Sequence, residues 1–244
     1  MQFPRPLVRG RFLGREKRFL VHVRLDDGRT VVAHTNNTGS MRGTLAPDAP
    51  VWLSPAEAPG RKLAWTLELV ETTAATGPGI APGVLVGVNT ALANRLAAEA
   101  VAAGMVPGLE DAGTPRREVV YGRQGSRIDL LYEPPGQTAC WVEVKNVSLV
   151  EDGHARFPDS PTARGRKHLE ELTDLALAGT RAALVFCVQR GDAETVGPAD
   201  DIDPAYGRLL RTTLAAGVAV HGVGMDVTPA GITPARPIPL LPDR

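Results

Sequence analysis

The chain has 244 residues, 43% hydrophobic and 22% charged, a composition typical of a globular protein that can bury a sizeable core. Its 27 basic residues balance 27 acidic ones, so no overall charge indicates a nucleic-acid partner, although a local basic face is not excluded. Two cysteines outside any Cys/His cluster argue against structural zinc, and the absence of a signal-like or long apolar segment predicts a cytoplasmic protein with no membrane span.

The first 80 residues are predicted to form a small β-barrel. Phe19–Leu25 and Thr30–Thr35 flank the turn at Asp27-Gly28, a pattern typical of a β-hairpin. The segments VWLSP and LAWTLELVE are also strand-like, and several short strands with turn signals indicate a barrel. A Pro/Gly-rich stretch over 72–83 then predicts a domain boundary.

The second half of the chain changes to helical periodicity. A helix is predicted from Asn89 to Gly104, with Asn89 or Thr90 as the N-cap. Three strands, a helix from Pro161–Thr162 to Gly179, and then a strand, a helix and a last strand follow. This order predicts an α/β (α+β) domain with a mixed sheet over 84–228. Residues 229–244 are expected to be an irregular Pro-rich tail.

Charged side chains interrupt two of these strands. Asp129 lies in SRIDLLYE, and Glu143 and Lys145 lie in CWVEVKNVS, two residues apart and therefore on one face. If the two strands pair across the intervening turn, the two carboxylates approach each other, and a hard divalent cation would relieve their repulsion. The alternative is an exposed Glu143–Lys145 ion pair with Asp129 as a surface acid.

The element order and this spacing resemble the PD-(D/E)xK nuclease fold. That fold carries its acids and its lysine on successive strands, although Arg127 and Ile128 stand here where the motif has its proline. The resemblance implies catalytic roles for Asp129, Glu143 and Lys145. Asp129 and Glu143 are the expected metal ligands, and Glu99 on the preceding helix is a further candidate. Gln189 resembles a polar residue found late in the fold. Glu99 on a solvated helix face and Gln189 as a plain strand-end residue are the alternatives.

A broader resemblance covers nearly the whole chain. The stretches that carry it are HTNNTGSM at 34–41, VGVNTALANRL at 86–96, SRIDLL at 126–131, VEVKNVSLVEDG at 142–153, ARFPDSPTARGRKHLEEL at 155–172 and DIDPAYGRLL at 201–210. They resemble the sugar fermentation stimulation protein family of bacteria. The resemblance implies an OB-like barrel over 1–80, a PD-(D/E)xK nuclease-like αβββαβ domain, DNA binding, and a role in regulating sugar metabolism, notably that of maltose.

Two basic clusters and one polar loop are the expected DNA contacts. The side chains concerned are Arg11, Arg15, Lys17 and Arg18 in the barrel, Asn37 in the NNTGS loop, and Arg164, Arg166 and Lys167 at the start of a helix, where backbone N–H groups favour phosphate. Solvated surface and turn capping are the alternatives for both clusters and for the loop.

Three functional hypotheses remain open at this point. The first is a largely sequence-nonspecific DNA-binding nuclease that uses Mg²⁺ or Mn²⁺. The second is a non-catalytic DNA-binding transcriptional regulator on the same scaffold, because a fold does not fix a function. The third is an RNA- or protein-binding module. The sequence does not decide the oligomeric state, and a homodimer is compatible with it.

Overall fold

The computed structural model describes residues 1–56, 62–122 and 125–242. Its N-terminal part is built from six strands: β1 Val8–Glu16, β2 Leu20–Leu25, β3 Thr30–His34, β4 Pro50–Pro55, β5 Trp65–Glu71 and β6 Leu85–Gly87. They hydrogen-bond in the order β3-β2-β1-β4-β5-β6, and an additional parallel pairing of β3 with β5 closes the first five into a barrel. The barrel predicted from the turn-rich N-terminal sequence is thus confirmed.

Alternation of apolar residues explains why the predicted hairpin forms. Val21, Val23 and Leu25 of β2 are buried in the barrel core, while the residues between them are more exposed. β2 and β3 pair antiparallel, and Gly28 in the turn adopts a φ of 88°, a conformation that glycine adopts at little cost.

The C-terminal part contains three helices and nine strands in the described residues. These are α1 Ala93–Ala102, β7 Arg116–Tyr121, β8 Ser126–Tyr132, β9 Cys140–Val147, β10 Leu149–Glu151, β11 His154–Phe157, α2 Ala163–Leu177, β12 Arg181–Val188, β13 Thr195–Pro198, α3 Pro204–Ala215, β14 Ala219–Thr228 and β15 Gly231–Ile238. Six of the strands form a mixed sheet in the order β15-β14-β12-β9-β8-β7, with β9, β12 and β14 parallel. The predicted mixed sheet is confirmed.

The helices cover both faces of this sheet. α1 packs on one face, and α2 and α3 pack against each other on the opposite face. The helix ends follow the sequence signals, since Asn89 accepts the N–H of Ala91 before α1, and Thr162 accepts the N–H of Gly165 at the start of α2. Within the described residues, no helix combines the length and the apolar character needed to cross a membrane.

Two features depart from the sequence prediction. The prediction of an irregular tail is wrong, because Gly231–Ile238 forms β15, antiparallel to β14. This strand lies at the sheet edge, where prolines such as Pro234 and Pro237 are tolerated. A second, three-stranded sheet of β10, β11 and β13 was also not predicted. Its strands are three or four residues long, too short for a clear periodicity.

Candidate functional site

The site begins where two paired strands stop pairing. β8 and β9 are antiparallel, as predicted, and their ladder runs from Tyr132–Cys140 to Leu130–Val142. Beyond it, the Asp129 carboxylate takes the place of a backbone acceptor. The Val144 N–H donates to Asp129 Oδ2 at 2.7 Å, and Asn94 Nδ2 donates to Asp129 Oδ1 at 2.8 Å. Burial and the nearby Glu143 charge raise the pKa of Asp129 to about 6.

Glu143 and Lys145 lie side by side on β9, as the two-residue spacing predicted. Lys145 Nζ donates to Glu143 Oε1 at 2.6 Å, and the two side chains are only 11% and 2% exposed, respectively. The alternative of an exposed surface ion pair is therefore wrong. Burial alone would raise the pKa of Glu143, but the Lys145 charge and the His168 hydrogen bond outweigh it, so that the pKa lies below its usual value.

His168, which follows the basic cluster at the start of α2, is a site residue that sequence reasoning did not assign to the site. Its Nδ1 contacts Glu143 Oε1 and lies 3.0 Å from Lys145 Nζ, while its Nε2 faces the Arg164 Nε–H at 3.4 Å. Because Nε2 accepts from Arg164, the proton belongs on Nδ1, where it is donated to Glu143. The helical period shared with Leu169 and Leu172 was the signal that puts His168 on the buried face.

These residues form part of the lining of a cavity of about 410 Å³ between the barrel and the sheet. The barrel contributes the loop Asn36–Gly39, and the rest comes from the start of α1, the end of β9, the segment around Arg156–Asp159 and the start of α2. Arg15 fixes the barrel loop, since its guanidinium donates to the carbonyls of Asn37 at 2.7 Å and Gly39 at 3.0 Å. Asn94, missed by sequence reasoning, reaches the cavity from α1.

The structure does not bring Glu99 into this cavity. Its carboxylate accepts from the α-amino group of Met1 at 2.7 Å and from Arg95 Nε at 2.9 Å, one helical turn beyond Asn94. The prediction of Glu99 as a metal ligand is corrected, because Asn94 rather than Glu99 occupies the α1 position that faces Asp129. Gln189 is buried behind the site and donates to Asn146 Oδ1. Asn146 itself lines the cavity.

Two of the predicted DNA-binding arginines are held inside the protein structure. Besides its two loop contacts, Arg15 also donates to the Arg18 carbonyl oxygen. The guanidinium of Arg166 pairs with Asp203 at 2.7 Å. Most donors of Arg15 are thus occupied and one N–H group of Arg166 is committed to an ion pair, which weakens the case for direct phosphate contacts, above all for Arg15. Arg11 makes a longer contact of 3.2 Å to the Asp48 carbonyl oxygen and stays half-buried.

The remaining candidates lie close to the cavity or at the surface. Asn37 and Arg164 line the cavity. Lys17 and Arg18 are exposed at the turn between β1 and β2, and the Arg15 contacts connect that turn with the cavity loop. Lys167 is half-buried on α2. Among the predicted DNA contacts, Lys17, Arg18 and Arg164 are therefore the exposed cations that lie at the cavity or near its loop.

The cavity offers part of a donor set for a divalent cation. Within the described residues no group of three or more His, Cys, Asp or Glu side chains has the arrangement of a complete metal centre. Two carboxylates are nevertheless adjacent, and Glu143 Oε2 is buried without a hydrogen-bond partner, which is costly for a carboxylate oxygen unless a ligand satisfies it. Two carboxylates supplemented by water and phosphate oxygens suit Mg²⁺, so the residues fit such an ion.

Comparison with known proteins divides the chain as the sheet topology does. Residues 13–88 match the SfsA N-terminal OB domain, and residues 91–231 match the sugar fermentation stimulation protein RE domain. A sugar fermentation stimulation protein homolog from Thioalkalivibrio sulfidiphilus is 52% identical over 239 residues, 97% of this chain and 96% of the relative. The homolog from Rhodospirillum centenum is 52% identical over 233 residues, 95% of this chain and 96% of the relative.

A solved structure gives the same picture of the fold. It is described as the structure of Pyrococcus furiosus SfsA in complex with Ca²⁺, and it superposes with a TM-score of 0.87 at 28% identity, covering 99% of this chain and 98% of that one. The expected succession of an OB barrel and a mixed-sheet α+β domain is confirmed.

Proposed function

The chain belongs to the sugar fermentation stimulation protein family, and from this premise we propose that it is a DNA-binding protein whose cavity holds a divalent cation and hydrolyses phosphodiester bonds. One observation carries the proposal: the fold brings Asp129, Glu143 and Lys145 from two strands to the floor of one cavity. The Ca²⁺ bound by the Pyrococcus furiosus relative supports a site for a divalent cation here as well.

Asp129 and the unpartnered Oε2 of Glu143 are the groups that would hold the cation. When bound, Mg²⁺ or Mn²⁺ supplies Lewis-acid polarisation of a phosphoryl oxygen and lowers the pKa of a bound water. Burial and the Glu143 charge raise the pKa of Asp129, and the positive charge would offset the part that comes from Glu143. Asn94 and the Val144 N–H keep the Asp129 carboxylate oriented, as positioned neighbours do for ligating carboxylates.

Lys145 is the group suited to developing negative charge on the phosphate. In the hydrolysis a water oxygen bonds to phosphorus and gives up a proton to solvent, while the bond from phosphorus to the leaving sugar oxygen breaks and that oxygen takes a proton from solvent. The Lys145 ammonium donates to Glu143 in the free protein and has further N–H donors for a phosphate oxygen. Arg164 at the cavity and Lys17 and Arg18 near its loop would contact neighbouring phosphates.

A non-catalytic DNA-binding regulator is the second candidate. The observation that favours it is the close ion pair, since Lys145 and His168 both contact the same Glu143 oxygen and already neutralise one of the two acids that a cation would need. In that case the scaffold binds DNA without cutting it. Regulation of sugar metabolism, to which the family name refers, would follow from DNA binding alone.

The two candidates differ in what Glu143 contributes. The test is cleavage of plasmid and single-stranded DNA with Mg²⁺ or Mn²⁺, together with DNA binding across a salt series, for wild type, Glu143→Gln and Lys17→Glu/Arg18→Glu. For a nuclease, we expect Glu143→Gln to lose cleavage at least 100-fold while it retains binding. The charge reversal should weaken binding and flatten its salt dependence. Arg208→Glu, at an exposed position of α3 that does not line the cavity, is the matched control.

Wild-type protein that binds DNA but cuts neither substrate with either metal would establish the regulator instead. Equal cleavage rates for wild type and Glu143→Gln would show that the cleavage does not take place in this cavity. A DNA affinity that changes neither with salt concentration nor with the charge reversal would contradict both candidates.

A further inference from the structure

We propose that the cavity accepts an unpaired nucleotide, either at a single-stranded end or in a locally opened strand, and does not engage the backbone of a continuous duplex. This inference rests on the proposed function and specifies its substrate class. Three features carry it: the depth of the acidic floor, the fixed walls around it, and the balance of charge among the residues that line it.

The first feature is the depth of the floor. Glu143 is 2% exposed and His168 is 8% exposed, and the free Oε2 of Glu143 is buried. A phosphate must therefore enter the cavity to reach the acids. The phosphates of a duplex lie on the outside of a stiff rod whose persistence length is about 50 nm. A single strand bends freely and can place one phosphate at the floor of a recess.

The second feature is that the barrel wall is fastened to the opposite domain. Ser40 Oγ donates to the Asp159 carbonyl oxygen at 2.7 Å, and the Met41 N–H donates to Asp159 Oδ2 at 2.8 Å. Gly39 approaches so closely that a Cβ there would lie 2.7 Å from Asp159 Oδ1. With Arg15 bonded to the same loop from the barrel side, the wall cannot retract for a duplex without losing several hydrogen bonds.

The third feature is the charge of the lining. Its three basic side chains, Lys145, Arg156 and Arg164, are matched by three acids, Asp129, Glu143 and Asp159. Arg156 also pairs with Glu151 and Asp201. Duplex binding is driven by neutralising many phosphates with an extended basic surface. A balanced lining suits one or two phosphates instead.

The size and polarity of the cavity fit one nucleotide. A volume of about 410 Å³ lies within the range of pockets that bind small ligands. Asn37 lines it and accepts the Gly39 N–H through Oδ1, which leaves its amide group as a donor for a base edge. Enzymes that act on extruded bases also bind them in pockets with polar groups.

The experiment compares a labelled single strand, a blunt duplex of the same sequence and the same duplex with a single-stranded overhang. Cleavage with Mn²⁺ and binding with Ca²⁺ are measured at one salt concentration. We expect single strands and overhangs to be cut at least 10-fold faster than the interior of the duplex. The cavity-filling variant Thr38→Met, at an exposed lining residue, should weaken single-strand binding at least 5-fold and leave duplex binding unchanged. Thr30→Met, at the exposed first residue of β3, is the control.

The outcomes separate this inference from the proposed function. Interior duplex cleavage as fast as single-strand cleavage overturns the inference while the nuclease function stands. If no substrate is cut, the nuclease function fails and the binding data decide the inference. The inference is then supported if Thr38→Met binds the single strand more weakly and the duplex as well as wild type does. It is overturned if Thr38→Met binds both DNAs more weakly, or binds both as well as wild type.

Discussion

Asp129 and Val144 are joined by a hydrogen bond in which the Val144 backbone N–H donates to Asp129 Oδ2 at 2.7 Å. The bond continues the β8–β9 ladder with a side chain in place of a carbonyl group. It places an ionisable group beside Glu143 without leaving the backbone donor unpaired. The sheet thus carries two neighbouring acids, and burial together with their electrostatic repulsion raises the pKa of Asp129. The site can therefore be followed by its pH dependence.

The stability of the metal-free protein should depend on Asp129. Its pKa is about 6 in the folded chain, against 3.8 for the unperturbed group, so the folded state holds the proton more tightly than the unfolded state. The associated stabilisation is complete below about pH 4 and is lost as the pH rises through 6, an effect of about 3 kcal/mol. Urea unfolding between pH 4 and pH 7 measures it.

Asp129→Asn and added Ca²⁺ test the origin of that slope. The substitution removes the titrating group, so the slope over this range should shrink. Ca²⁺ should also flatten it, because the cation lowers the pKa of the carboxyl group. A slope that is identical in wild type and Asp129→Asn would assign the dependence to another group.

Glu143 and Lys145 should be strongly coupled in stability. Removal of either partner leaves the other charge buried, at a cost of about 3–5 kcal/mol. We therefore expect Glu143→Gln and Lys145→Met each to lower the free energy of unfolding, and the double variant to lose less than the sum of the two. A double-mutant cycle by urea denaturation measures the coupling. Strict additivity would show that the pair is not coupled.

His168 should act as a positioning residue for Glu143. We expect His168→Ala to weaken Mn²⁺ binding about tenfold, the scale of loss typical when a group that orients a metal ligand is removed. His168→Asn should recover most of the affinity, because the Nδ2–H₂ group of the introduced asparagine would take the position from which the Nδ1–H of His168 donates to Glu143. His168→Gln places its amide nearer to Nε2 and serves as the control. Equal affinity in all three variants and wild type would exclude the role.

Arg15 should shape the cavity rather than bind phosphate. Arg15→Lys loses the planar fork that bonds the Asn37 and Gly39 carbonyls, since one ammonium group cannot reproduce it. We expect the free energy of unfolding to fall by about 1–3 kcal/mol, with faster hydrogen exchange confined to the 36–41 loop. If DNA affinity falls without any change in exchange or stability, Arg15 is a direct contact.

The sequence by itself determined most of the barrel strands, the three helices and the pairing of the two acidic strands. Local patterns were sufficient because caps such as Asn89 and Thr162, the turn at Gly28 and the two-residue period of β9 act within a few residues. The adjacency of Glu143 and Lys145 followed from strand geometry alone. The resemblance of 34–41 and 142–172 to one family supplied the domain succession, which local propensity does not encode.

Only the tertiary structure decided which side chains complete the cavity. Asn94 rather than Glu99 faces Asp129, because the rotation of α1 on the sheet is set by packing of Leu96 and Ala100 in the core. His168 reaches Glu143 for a similar reason, since the packing of α2 turns it inward. The assignment of Arg15 to the loop and of the Pro-rich C-terminal segment to β15 depended on partners far away in the chain. Such long-range contacts leave little trace in a local sequence pattern, because their free energy arises only when the folded surfaces meet.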